Sequence, residues 1–160
     1  MSPSREIAAA LDENTRAYIL PCAVTSEGAG YRFTLHLTAL DSVGVGLDSL
    51  EFQATDRTEW SSEELNAWGT RLADRVTYLL EPLKVLEIDA GGGEVQLRSQ
   101  APTPRNDRRS YYEVRLFRSG LLRLERIAFD EATRRRERAA CHLTREVLER
   151  LANDIVASSK

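Results

Sequence analysis

Cysteine, histidine, lysine and methionine are all scarce in this chain of 160 residues: two, two, two and one. Cys22 and Cys141 make no disulfide framework, and a chain of this length can bury an adequate core without one. Both are expected as reduced thiols. Two Cys and two His are enough in number for one zinc ion. Yet the interval from Cys22 to His36 and the adjacent pair Cys141-His142 match no finger or ribbon spacing. Neighbours on a strand point to opposite faces, so Cys141 and His142 are badly placed to share a metal or to act as nucleophile and base. No metal, cofactor or catalytic residue is expected, and the reading leans away from an enzyme.

Long apolar runs are missing too. Nothing approaches the ~18 apolar residues of a membrane span. The opening MSPSREIAAALDEN carries acids where a signal peptide would be apolar. The expectation is a cytoplasmic protein with no membrane partner. Glycine clusters only at Gly44-Val45-Gly46 and Gly91-Gly92-Gly93. A phosphate-cradling loop needs a helix N-terminus directly after it. Here a strand follows, and Glu94 would repel phosphate, so both clusters read as turns.

What is present is an ordinary globular composition, 42% hydrophobic and 29% charged. One domain over residues 1–160 is expected. Net charge is −3 but uneven: residues 1–80 carry 6 basic and 12 acidic side chains, residues 81–160 carry 16 and 13. Twenty of the 22 basic residues are arginine.

Periodicity gives the elements. Ser2-Pro3-Ser4 starts a short helix over 4–12 that buries Ile7 and Leu11. RAYILPCAV (16–24) is a strand, with Pro21 restricting it to an edge or a bulge. SEGAG is a turn, and YRFTLHLTAL (31–40) alternates apolar and polar side chains, the pattern of a half-buried antiparallel strand. DSVGVG (41–46) is a turn, followed by a strand with Leu50, Phe52 and Ala54 on one face. Ser61 and Glu64 make a capping box, and Trp60 with Leu65 a hydrophobic staple, for a helix over about 61–80. Gly69 within it suggests close packing on the sheet. KVLEI and EVQLRS form a hairpin around DAGGG, and QAPTPRNDRR (100–109) is a loop. SYYEVRLF is a strand with Tyr112, Val114 and Leu116 facing one way. LLRLERIAF returns, and its phase slips between Leu124 and Ile127, as at a bulge.

The stretch DEATRRRERAACHLTREVLERL (130–151) has two readings: one long helix, or a turn, a strand over 134–142 and a helix over about 144–157 capped by Thr144. Residues 133–138 add nothing to the helical stripe of Leu143, Val147, Leu148, Leu151 and Ile155, which favours the strand.

The fold class is therefore α+β. About seven or eight strands form a largely antiparallel twisted sheet built from hairpins. Two main helices and a short N-terminal one pack on one face. A weak duplication, about 1–81 and 82–160, aligns Phe33, Leu35 and Leu37 with Tyr112, Val114 and Leu116. In element order the chain resembles small sheet-plus-helix folds such as the type III secretion chaperones and the TBP-like saddles. No motif carries that likeness, and a fold does not give a function.

Two function classes follow. The first is a small non-catalytic protein-binding module that presents an open sheet face or an edge strand to a protein partner or to itself as a homodimer. Its residues are Tyr111, Arg115, Phe117 and Arg123. The second is nucleic-acid or anion binding by the arginine-rich 105–138 region, through Arg105, Arg108, Arg109, Arg134, Arg135, Arg136 and Arg138. Asp130, Glu131 and Glu137 interrupt that run, and no helix-turn-helix, RRM, KH or zinc-finger signature accompanies it.

Overall fold

The computed structural model describes residues 2–14, 19–89, 93–99, 103–105 and 107–160. The first half runs α1 (Pro3–Asn14), β1 (Cys22–Gly28), β2 (Tyr31–Leu40), β3 (Gly44–Ala54) and α2 (Ser62–Arg75). The second runs β4 (Leu83–Asp89), β5 (Glu94–Ser99), β6 (Thr103–Arg105), β7 (Arg108–Phe117), β8 (Leu121–Asp130), β9 (Arg135–Ala139), β10 (Cys141–Thr144) and α3 (Arg145–Ser158). All strands join one antiparallel sheet in the order β1-β2-β3-β8-β7-β5-β4, with β6 on β7, β9 on β8 and β10 on β3. The architecture is α+β, as the period-two strings require.

The helices share one face. α1 packs on β1, α2 on β4 and β5, and α3 on β3, β10 and the other two helices. Beneath them lies the core: Phe33, Leu35 and Leu37 of β2, Leu50 and Phe52 of β3, Leu122 and Leu124 of β8, Val114 and Leu116 of β7, Val95 and Leu97 of β5. Trp60 and Trp68 stack at 4.7 Å, and the Trp68 indole N–H donates to Ser158 Oγ at 3.1 Å, tying α2 to α3. The buried set of α2, Leu65, Trp68, Gly69 and Leu72, recurs at the same spacing in α3 as Leu148, Leu151, Ala152 and Ile155. A Cβ on Gly69 would sit 3.2 Å from Val95 Cγ1, so this glycine does mark close packing of helix on sheet.

The sheet forks at its centre. β3 and β8 pair only over Leu50–Gln53 and Leu121–Leu124. Beyond that they part. β9 follows the Arg126–Asp130 arm of β8 toward the vertex, and β10 follows the Gly44–Leu47 arm of β3 away from it, with Ala140 between them. The stretch from Asp130 is thus turn, strands and helix, and Thr144 Oγ1 caps α3 by accepting the Val147 N–H at 3.1 Å. The long-helix alternative is excluded.

Five expectations are corrected. α2 ends at Arg75, not near residue 80. Val76 leaves the helical region, while Val76 and Leu79 still reach the core from a non-helical segment, so apolar spacing alone over-extended the helix. Gly44 and Gly46 lie within β3 rather than in a turn. A Cβ at Gly46 would sit 2.8 Å from Thr38 Oγ1, so glycine there answers to close packing against β2. Ser26–Gly28 belong to β1, and only Ala29 and Gly30 turn. The expected loop 100–109 holds β6, paired with β7, and the start of β7, while residues 100–102 and 106 lie outside the described residues. Residues 90–92 of the glycine turn and 16–18 of the first strand candidate also lie outside them. Lastly, β8 pairs with β7 in unbroken register from Leu122 to Asp130, with no bulge. The apparent slip in β8 arises because a charged residue, Arg126, takes a core-facing position, and Ile127 takes the opposite face.

Candidate functional site

None of the described helices packs on the sheet face opposite α1, α2 and α3. Cross-strand partners in an antiparallel ladder share a face, so the register identifies who meets there. Arg115 of β7 stands directly opposite Arg123 of β8, and Arg123 stands in turn opposite Glu51 of β3. Glu113 lies opposite Glu125, Tyr111 opposite Ile127, and Phe117 opposite Glu94. All four residues of the expected binding set therefore lie on the open face.

Their surroundings differ from one another. Glu113 is only 3% exposed although it is a carboxylate on the open side. Arg136 donates to both of its oxygens at 2.9 and 3.0 Å, Gln96 donates to Oε1, and Arg98 and Arg115 stand at 3.7 and 3.8 Å. Three guanidinium groups thus converge on one buried carboxylate. Burial works against the charge of Arg136, but Glu113 and Tyr111 together outweigh it and the pKa of Arg136 rises overall. Tyr111 is a floor rather than a surface. It is buried, with the Arg98 guanidinium 4.6 Å above its ring. Phe117 and Arg115 stay partly exposed. Arg123 makes no ion pair among the described residues, since Glu51 accepts or shares its bond with His36 at 3.0 Å instead.

The alternative arginine set is divided. Arg109, Arg136 and Arg138 face the open side. Arg108 and Arg135, paired through Asp130, face the helix side, and Arg134 sits in the turn at φ 58°. The side chain of Arg105 lies outside the described residues. Acids hold most of the others: Arg108 with Glu137 at 3.0 Å, Arg109 with Glu131 at 2.6 Å, Arg138 with Glu125 at 2.6 Å.

Comparison with known protein families, curated proteins and solved structures finds no match.

A second polar cluster lies on the helix side, at the fork. Glu81, 3% exposed, accepts from both terminal nitrogens of Arg126 at 3.2 and 3.3 Å and from Ser99 Oγ at 3.0 Å. Ser99 Oγ in turn accepts the Tyr112 N–H at 2.8 Å, and Arg126 lies 4.4 Å over the Tyr112 ring. A cavity of about 340 Å³ opens beside it, lined by Leu80, Tyr112, Arg126, Ala139, Ala140 and His142. Burial pushes the Cys141 thiol up to about 11 and the Tyr112 hydroxyl up to about 12. Both are protonated near neutrality, so neither is an ionised nucleophile or base there. Cys141 is buried and His142 exposed, on opposite faces as the strand geometry required. Among the described residues no three His, Cys, Asp or Glu side chains group as metal ligands. None of the described helices is long and apolar enough to cross a membrane.

Sequence reasoning missed Arg98, Gln96 and Glu113 on the open face, and Glu81 with Arg126 behind it. Period-two parity puts Glu113 between Tyr111 and Arg115. It carries no sign that three strands and β9 would bury it.

Proposed function

We propose that the protein is a small non-catalytic binding module whose open sheet face takes an acidic segment of a partner protein. One observation carries this reading: Arg98, Arg115 and Arg136 gather around Glu113, with Arg123 alongside and in no ion pair among the described residues. Arg115 also stands 3.5 Å from Glu94, so two carboxylates serve three guanidinium groups and satisfy only part of that charge. Glu113 also holds Arg136 by two hydrogen bonds, which lowers the ordering cost of receiving a further carboxylate beside it. Arg115 and Arg123 face each other directly, an arrangement that costs stability in an isolated sheet. An incoming carboxylate would relieve it. Phe117 at the margin adds apolar contact. Glu94, Glu113 and Glu125 are interleaved with these arginines, which suits the mixed surface of a peptide better than a continuous phosphate backbone.

The test is fluorescence anisotropy with a labelled Glu/Asp-rich peptide and a single-stranded oligonucleotide of equal charge, over a range of salt. The peptide is expected to bind and to weaken at higher salt, because exposed ion pairs are screened. The double variant Arg115→Glu/Arg123→Glu, its fold checked by circular dichroism, should weaken peptide binding by ~10-fold or more, about 1.4 kcal/mol. Unchanged peptide affinity in that variant sinks the reading. Tighter binding of the oligonucleotide, with the steep salt slope of counterion release, replaces it with the nucleic-acid reading.

A further inference from the structure

We propose that the cavity at the fork binds a small uncharged molecule, largely apolar and carrying a carbonyl-type hydrogen-bond acceptor. The cavity lies on the helix side of the sheet. It is separate from the arginine face and stands whether or not that face binds an acidic segment.

The strand register builds the floor. Tyr112, Arg126 and Ala139 are cross-strand partners in one row over β7, β8 and β9, so they share a face. The helices lie chiefly to either side of this row, α2 on β4 and β5 and α3 on β3 and β10. Leu80 comes in from the segment after α2, and Ala140 and His142 from the junction of β9 with β10. The enclosed space, about 340 Å³, falls within the range of small-molecule sites, about 300–1,000 Å³.

Two observations set the chemistry of the occupant. The first is Leu80. It is 76% exposed although both its neighbours, Leu79 and Glu81, are buried, so the backbone ties an apolar side chain to the rim. Ala139 and Ala140 are too short to cover it. An apolar occupant would take Leu80 and the Tyr112 ring edge out of water.

The second is Arg126, which is 8% exposed and yet lines the cavity. A guanidinium carries five N–H donors. Glu81 accepts one from each terminal nitrogen, and among the described residues no other acceptor takes the rest. Glu81 already balances the charge of Arg126. An anionic ligand would therefore bring an unbalanced charge into a nearly dry site, which is costly. The oxygen of a ketone, ester or amide can accept from the remaining donors without that cost. Ser110 and His142 add further polar groups to the lining.

Fluorescence titration with 6-propionyl-2-(dimethylamino)naphthalene tests the proposal. This probe is an uncharged naphthyl ketone whose emission brightens and moves to the blue when it leaves water. The emission change should saturate with protein concentration, and a Glu/Asp-rich peptide should not displace the probe. In heteronuclear NMR spectra the amide cross-peaks of Leu80, Ala139, Ala140 and His142 should move on probe binding, and those of Arg115 and Arg123 should stay. Ala140→Trp, which brings an indole to the cavity from an exposed position, should weaken binding ~10-fold or more. Glu81→Met/Arg126→Met keeps an apolar wall and removes the donors. It should weaken binding by roughly 3- to 10-fold, the worth of one hydrogen bond. A signal that does not saturate, displacement by the peptide, or undiminished affinity in Ala140→Trp overturns the proposal. Full affinity in the double methionine variant overturns the acceptor and the ligand class with it. Should either variant fail to fold, wild-type cross-peaks that move on the arginine face and not at the fork overturn it equally.

Discussion

Arg126 and Glu81 are the residues with most at stake in the core. Each is nearly out of water, and each is satisfied by the other together with Ser99 and the Tyr112 ring. Removing one partner of such a pair leaves an uncompensated charge and costs about 3–5 kcal/mol, whereas replacing both by apolar groups of like volume is often neutral. Arg126→Met should therefore lower stability by that amount in urea denaturation, and Glu81→Met/Arg126→Met should recover most of it. A single-variant loss below ~1 kcal/mol, the level of a surface ion pair, would show that the pair is better hydrated than its burial implies. This residue pair was not legible in the sequence. Its members are 45 positions apart, and a charge at a core-facing position breaks the alternation by which a strand is read. A bulge was the nearest local explanation. Glu113 was hidden for the same reason: its neighbours come from β5 and β9, not from its own strand.

Among the elements, the start of α2 carries a full local signal and was read correctly, whereas the glycine-bearing stretches at 26–28 and 44–46, read as turns, belong to strands. The start of α2 is set within four residues, and both halves of its capping box form: Glu64 N–H to Ser61 Oγ at 3.1 Å and Ser61 N–H to Glu64 Oε1 at 3.1 Å. Ser61→Ala should cost about 1 kcal/mol, measurable as a lower denaturation midpoint at unchanged slope. A neutral result would mean that the Trp60–Trp68 stack alone holds the helix entry. The end of α2 was misread because Val76 and Leu79 keep helical spacing by coincidence. Tyr78 between them is held from outside the helix, its hydroxyl donating to Asp154 at 2.7 Å and its ring lying 4.0 Å under Arg150. The strand over 134–142 was legible from its lack of an apolar stripe. Its division between β8 and β3 was not, because a fork is a property of two distant strands.

For the molecule as a whole, the two halves of the chain interlock. α2 comes from the first half and packs on β4 and β5 of the second, while α3 comes from the second and packs on β3 and α1 of the first. Neither half covers its own strands alone. Unfolding should then be a single transition, with tryptophan fluorescence, which reports Trp60 and Trp68, and far-ultraviolet circular dichroism giving the same midpoint. Two separated midpoints would mean that the halves are independent units. The α+β class, the single covered face and the open arginine-bearing face were all legible, since alternation and helix spacing are local. The order of strands across the sheet was not.

That order also has a consequence in time. β3 lies near the middle of the finished sheet, yet its partners on one side are Leu121–Leu124 and Cys141–Thr144. A ribosome making this chain releases Val45, Leu47, Leu50 and Phe52 long before either partner exists. At ~5–20 residues per second the wait is roughly 5–20 s. During it, the most protected strand of the mature protein is the most adhesive part of the nascent one.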